Sequence, residues 1–223
     1  MEVRKVKRTS PKRLVIYGAP KVGKSTQMTK LDNALIIDTE QGYDFLAGKI
    51  FEAKSLSDIA ALKKELIEYA KENNGKVPYD YVVLDTIDNL VLWFEHKVAK
   101  DNNVQTHGDL EYGKGYMLVR NKVMDFLSFL EKAFPYVIVV GHLKRREIGS
   151  ESGMVVSPDT LDLSGRLKGM IMSWSDANGI VYHEDGQLIV NFESDPSASD
   201  AGIRCPHLVG KRIPFEWESI YTD

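Results

Sequence analysis

The chain has a single cysteine, Cys205, in 223 residues. No intrachain disulfide can form, and a reducing compartment is the expected setting. Cys205-Pro206-His207 offers two soft donors where a structural zinc site takes four, so a buried thiol beside a turn is expected there. No apolar run approaches the roughly 20 residues that span a bilayer, which speaks against a membrane protein. The first residues are basic but lack the apolar core of a secretory signal. A surplus of positive charge is missing too. The formal net charge of −3 excludes a uniformly basic nucleic-acid binder and leaves only local patches. Internal repeats and low-complexity linkers are not evident. The expectation is a soluble cytoplasmic protein.

What is present fits a globular fold. Hydrophobic residues make up 43% of the chain, enough for one domain with a substantial core. Basic residues cluster at the start, where Arg4, Lys5, Lys7, Arg8, Lys12 and Arg13 face only Glu2. We read residues 1–12 as a basic arm and 13–223 as a single domain.

Short β-branched runs alternate with stretches of helical period, the pattern of an α/β fold with a mainly parallel central sheet flanked by helices. Residues 13–17 (RLVIY), 34–38 (ALIID), 81–84 (YVVL, ending at Asp85) and 136–140 (YVIVV) read as buried strands. A helix is expected from Lys24 to about Lys30. A second should span 57–73, capped by Ser57, with Ile59, Leu62, Leu66 and Tyr69 inward and Asn74-Gly75 as its stop. Thr86 can cap a third, to about Lys100. Polar residues 101–115 read as a loop. A long helix over 116–134 turns Val119, Val123, Phe126, Leu127 and Leu130 inward and stops at Pro135. Residues 144–159 are polar and partly basic, and a short helix near 161–172 follows. Runs 179–183 and 188–192 around Glu184-Asp185-Gly186-Gln187 read as a C-terminal antiparallel hairpin. A Ser/Asp/Pro-rich loop at 193–201 and an aromatic tail, 213–217, that docks back on the body complete the chain.

The chemistry centres on Gly18-Ala19-Pro20-Lys21-Val22-Gly23-Lys24-Ser25, followed by Thr26. This Gly-x4-Gly-Lys-Ser pattern arises by chance in about one chain in a hundred of this length, and here it joins an expected strand to an expected helix. Glycines let backbone N–H groups turn onto a phosphate, and the helix N-terminus adds its dipole. Lys24 would bridge the β- and γ-phosphates of ATP, with the Ser25 hydroxyl on Mg2+. A second acid is needed for the metal, and Asp85, closing a buried strand, is placed for it. Asp88 reads as an outer partner or as a first-turn acid facing the helix dipole.

The order of the remaining motifs resembles the RecA/RadA recombination ATPases, a RecA-like P-loop NTPase fold. Asp38-Thr39-Glu40 matches the Asp-x-Glu in which that family carries its catalytic glutamate, which implies Glu40 as the general base. Val140-Gly141-His142 falls where relatives place a γ-phosphate sensor, usually glutamine; His142 departs from that but still supplies an N–H. Segments 101–115 and 144–159 fall where RecA has its DNA-binding loops. The resemblance thus implies phosphate contacts from Lys144, Arg145 and Arg146, and base stacking by Tyr112 and Tyr116; core packing is the alternative for Tyr116. Gly210-Lys211-Arg212-Ile213-Pro214-Phe215 resembles the segment that reaches a neighbouring subunit's ATP, which implies Lys211 or Arg212 as a trans-acting finger. Without the terminal segments of full RecA, the chain resembles phage AAA-type nucleotide-binding proteins, in particular RecA-core annealing proteins of the Sak type. That resemblance implies a phage-encoded, DNA-dependent ATPase of the host cytoplasm. It would bind single-stranded DNA, form a ring or filament of its own copies, and promote annealing or recombination. A single-strand-binding protein or a replication helicase would be further partners. A helicase loader or adaptor ATPase is the alternative, and a small-molecule P-loop kinase a more distant one.

Overall fold

A computed structural model describes residues 8–144, 147–150, 153–156, 160–163, 165–193 and 203–222. Arg4, Lys5 and Lys7 of the basic arm, Arg145 and Arg146, and all but Glu193 of the expected 193–201 loop lie outside the described residues. The chain divides into two compact units, one of Met1–Gln27 with Gly141–Asp223 and the other of Met28–Val140. The expected α/β class holds: strands are mostly parallel, helices flank them, and antiparallel strands close the C-terminal part.

The first unit begins with strand β1 (Arg13–Gly18). Leu14, Val15 and Ile16 are wholly buried, as an interior parallel strand requires. Helix α1 is Lys24–Met28, two residues shorter than expected.

The second unit holds β2 (Ala34–Asp38), β3 (Lys49–Glu52), helix α2 (Leu56–Glu72), β4 (Tyr81–Asp85), α3 (Ile87–Asp101), α4 (Lys114–Ala133) and the start of β5 (Tyr136–Lys144). β2 pairs in parallel with both β3 and β4, and β4 with β5. β3 was not expected, because its short KIFE run has neither a clean alternation nor a fully apolar core. Helix α2 is capped by Ser55, whose side chain accepts from the Asp58 N–H, and not by Ser57. Ile59, Leu62 and Leu66 are buried as expected, but Tyr69 is 41% exposed. Val119, Val123, Phe126, Leu127 and Leu130 of α4 all point inward. The stretch read as a loop before α4 contains two 3-10 turns, His107–Asp109 and Glu111–Gly113. It is tightly built, since a Cβ on Gly115 would lie 1.7 Å from the His107 carbonyl oxygen.

Back in the first unit, the end of β5 pairs antiparallel with β8 (Thr160–Leu161), after a hairpin of β6 (Glu147–Ser150) and β7 (Gly153–Val156). This hairpin was not expected within the polar, partly basic stretch 144–159; its register rests on backbone pairing. Helix α5 is Gly165–Trp174, displaced from the expected 161–172 because Leu161 is taken up by β8. β9 (Ala177–Glu184) runs parallel to β1, and β10 (Gln187–Asn191) returns along it as the expected hairpin. Asp185 and Gly186 at its turn both have positive φ, 48° and 79°, as a two-residue turn matched to strand twist demands. β11 (Arg212–Pro214) adds antiparallel to β10, and a short helix α6 (Trp217–Ile220) ends the fold. The aromatic tail docks as expected, with Phe215 and Trp217 buried.

Candidate functional site

In the first unit the phosphate-type loop leaves the end of β1 and enters α1. Its entrance is fixed by close contact with β9, where a Cβ on Gly18 would meet the Val181 carbonyl oxygen at 2.5 Å. Gly23 adopts φ +103°, a conformation glycine takes at no steric cost, and Lys21 is held at φ +61° although it carries a side chain. Ala19, Pro20 and Val22 complete it. The Lys24 side chain curls back over the loop and donates to the Gly18 and Ala19 carbonyls, each at 2.9 Å. It is 5% exposed, a cation held inside its own loop. Ser25 and Thr26 follow in the first turn of α1.

The second unit gathers the sequence-predicted acids at the carboxyl ends of β2 and β4. Asp38 and Asp85 are register partners across those strands and are almost wholly buried. Asp38 Oδ1 accepts from the Glu40 and Gln41 N–H groups, both at 2.8 Å, which fixes the turn after β2. The Thr39 hydroxyl donates to the Thr86 carbonyl at 2.9 Å and accepts from the Thr86 N–H at 2.8 Å. Asn89 of α3 donates to the Thr39 carbonyl at 3.0 Å. Thr86 stands at the N-cap of α3 but makes no capping bond with its side chain. Its hydroxyl donates instead to Glu40 Oε1 at 3.0 Å, so the residue expected to cap the helix holds the candidate base.

One contact to a candidate residue escaped the sequence. The Tyr43 hydroxyl donates to Asp85 Oδ2 at 2.6 Å, and both residues are buried. Tyr43 lies in the irregular stretch between β2 and β3 and belongs to no motif, so only the folded chain shows that it orients the carboxylate. Asp88 falls in the first turn of α3, in the N-terminal position that suits an acid.

The remaining candidates have other surroundings. His142 lies on β5 in the first unit, its backbone carbonyl accepting from the Asp162 N–H at 2.8 Å. Lys144 is half-exposed and pairs with Asp162 at 3.0 Å, which offsets its charge. Arg212 is ion-paired with Glu184 of its own chain and lies over the Tyr182 ring at 5.6 Å, while Lys211 is exposed. Tyr112 projects fully into solvent at φ 53°, and Tyr116 is half-exposed with its ring edge-to-face on His107. Cys205 is buried, and the His207 ring contacts the Ile220 carbonyl oxygen at 3.0 Å. Among the described residues no group of three or more metal-type side chains forms a dedicated cage, and no helix is long and apolar enough to cross a membrane.

Residues 10–205 match the family described as the AAA domain. No curated protein sequence matches the chain.

Proposed function

The chain belongs to the AAA-domain family of P-loop ATPases, and from that premise we propose that it hydrolyses ATP with Mg2+ in work on single-stranded DNA. The observation that carries the nucleotide part is the buried Lys24, curled over its own loop beside Ser25. A cation seated among backbone dipoles at a helix start is built for phosphate. The reading assigns magnesium to the Ser25 hydroxyl and to the Asp85 carboxylate, which is buried and accepts from the Tyr43 hydroxyl. Magnesium would neutralise charge building on the β- and γ-phosphates.

Lys24 binds the phosphates in this reading, and the backbone N–H groups of Ala19 and of residues 21–26 orient them; Pro20 has no N–H to give. Glu40 is the general base. Its carboxylate is tethered by Thr86 through Oε1, and the Asp38 turn fixes its backbone, so its direction is set before substrate arrives. His142 is assigned to sensing the γ-phosphate, and Lys211 or Arg212 to a neighbouring copy's nucleotide; Arg212 would first have to leave Glu184. The DNA part is supported by the order of the motifs and by the wholly exposed Tyr112 ring on a braced turn.

The deciding experiment is ATP turnover with and without single-stranded DNA, alongside sizing of the protein. Turnover that DNA raises, with a shift to a large assembly, is the expected result. Turnover that ignores DNA across a salt series removes the DNA half of the proposal. Unchanged hydrolysis by Lys24→Ala removes the phosphate assignment as well.

A further inference from the structure

We infer that the C-terminal aromatic tail is a working part of the nucleotide site, and that Gln27 is the positioning residue joining the two. The inference rests on the phosphate-loop reading above. Helix α1 has five residues, too few to satisfy its own terminal carbonyls. The tail takes over that task. The Trp217 indole N–H donates to the Gln27 carbonyl at 2.8 Å, and the Gln27 side-chain amide donates in turn to the Phe215 carbonyl. Gln27, Phe215 and Trp217 are 5%, 4% and 6% exposed, so these polar groups have left water and depend on one another.

The contact reaches the loop directly. The Gln27 N–H donates to the Gly23 carbonyl at 3.1 Å, so the clamped residue sits one helical turn from the phosphate-loop glycine. A Cβ on Gly23 would lie 3.7 Å from the Leu188 side chain, and the Leu188 carbonyl accepts from the Phe215 N–H at 2.9 Å. β10 therefore backs the loop on one side and carries the tail on the other. The Phe215 and Trp217 rings pack edge-to-face, 5.1 Å between centroids, which makes the tail a rigid lever. A phosphate that draws Lys24 away from the Gly18 and Ala19 carbonyls moves the first turn of α1. Gln27 hands that displacement to Trp217.

The test uses the full chain and a fluorescent ATP analogue. Trp217→Phe keeps a ring but removes the N–H, and Gln27→Met keeps the length but removes the amide. Each is expected to weaken analogue binding by about fivefold, the factor that a coupling of about 1 kcal/mol between tail and loop would give. A purely structural role would lower the melting temperature and leave the affinity of the folded protein within about twofold. That result overturns the inference. If a variant does not fold, a chain with Trp93 and Trp174 replaced by Phe, which keeps Gln27 and Trp217, is read instead through Trp217 emission. A change on adding ATP supports the coupling, and unchanged emission overturns it. Wild type that fails to bind the analogue defeats the phosphate-loop reading; wild type that binds while both variants bind equally well defeats the tail alone.

Discussion

Removing the carboxylate of Asp176 should loosen the strand that leads into the phosphate loop. Asp176 accepts from the Arg13 backbone N–H at 3.0 Å, from Nε at 3.3 Å and from a terminal guanidinium nitrogen at 2.6 Å. Its own N–H donates to the Arg13 carbonyl at 2.7 Å, and Arg204 adds a more exposed contact at 3.5 Å. Arg13 opens β1, so this cluster anchors that strand beside the end of α5. Hydrogen bonds to charged groups contribute about 1.5–3 kcal/mol each, but solvent reaches this pair and screens it. We therefore expect Asp176→Asn to cost about 2 kcal/mol at neutral pH, a fall in melting temperature of roughly 4–8 °C for a chain of this size. The acid limb gives a second reading. Burial pushes the Asp176 carboxyl up, but the Arg13 hydrogen bonds and charge, with Arg204, outweigh it and hold the group below its ordinary 3.8. A carboxylate lowered in the folded state contributes its stability fully above the unfolded value and loses it as pH falls through the folded one. The gap between wild type and variant should thus close on acidification. Thermal melts followed by circular dichroism from pH 7 downward measure both effects. A neutral gap under about 1 °C, or a gap that persists in acid, refutes the reasoning.

Three further perturbations test other parts of the molecule. Tyr43→Phe removes the hydroxyl that orients Asp85; it should cost about 1 kcal/mol and raise the Mg2+ concentration for half-maximal turnover, and an unchanged metal titration would argue against that role. Gly115→Ala drives a methyl into the His107 carbonyl and should destabilise by about 3 kcal/mol or more, read in a urea melt; tolerance would mean the turn before α4 is looser than described. Ser55→Ala takes a hydrogen bond from Asp58, whose carboxyl is held below 3.8 first by the Lys54 N–H and then by the Ser55 hydroxyl. Its titration midpoint, followed by NMR, should move up toward the ordinary value.

Much of this architecture was legible because it is local. The four buried strands announce themselves as β-branched runs, and the phosphate loop by glycines at fixed spacing. What stayed hidden depends on partners far along the chain. Thr86 has the chemistry of a helix cap, and nothing nearby says that Glu40 will claim its hydroxyl. Tyr43 lies in a stretch without periodicity, so its bond to Asp85 is a tertiary fact. Tyr69 obeys the helical period yet stands at the margin of the buried face, where the period alone cannot fix depth. β3, β6 and β7 have four residues each, too short to show a period. Lys211 and Arg212 were read from the likeness of residues 210–215 to a RecA segment, which could not show Arg212 bound to Glu184.

The two halves of the chemistry also differ in how they come into being. Lys24 reaches carbonyls five and six residues away, contacts that form as soon as the loop bends. Thr86 reaches Glu40 across 46 residues, and Thr39 reaches Thr86 across 47. Closing a loop of that length costs roughly 2 kcal/mol more than closing one of six, and it requires β2 and β4 to be paired first. During folding the two Lys24 bonds close a short stretch of chain, while Glu40 gains its Thr86 partner only once the sheet exists. A partly melted chain in which β2 and β4 have parted would keep the short-range Lys24 bonds longer than the bond that sets Glu40's direction.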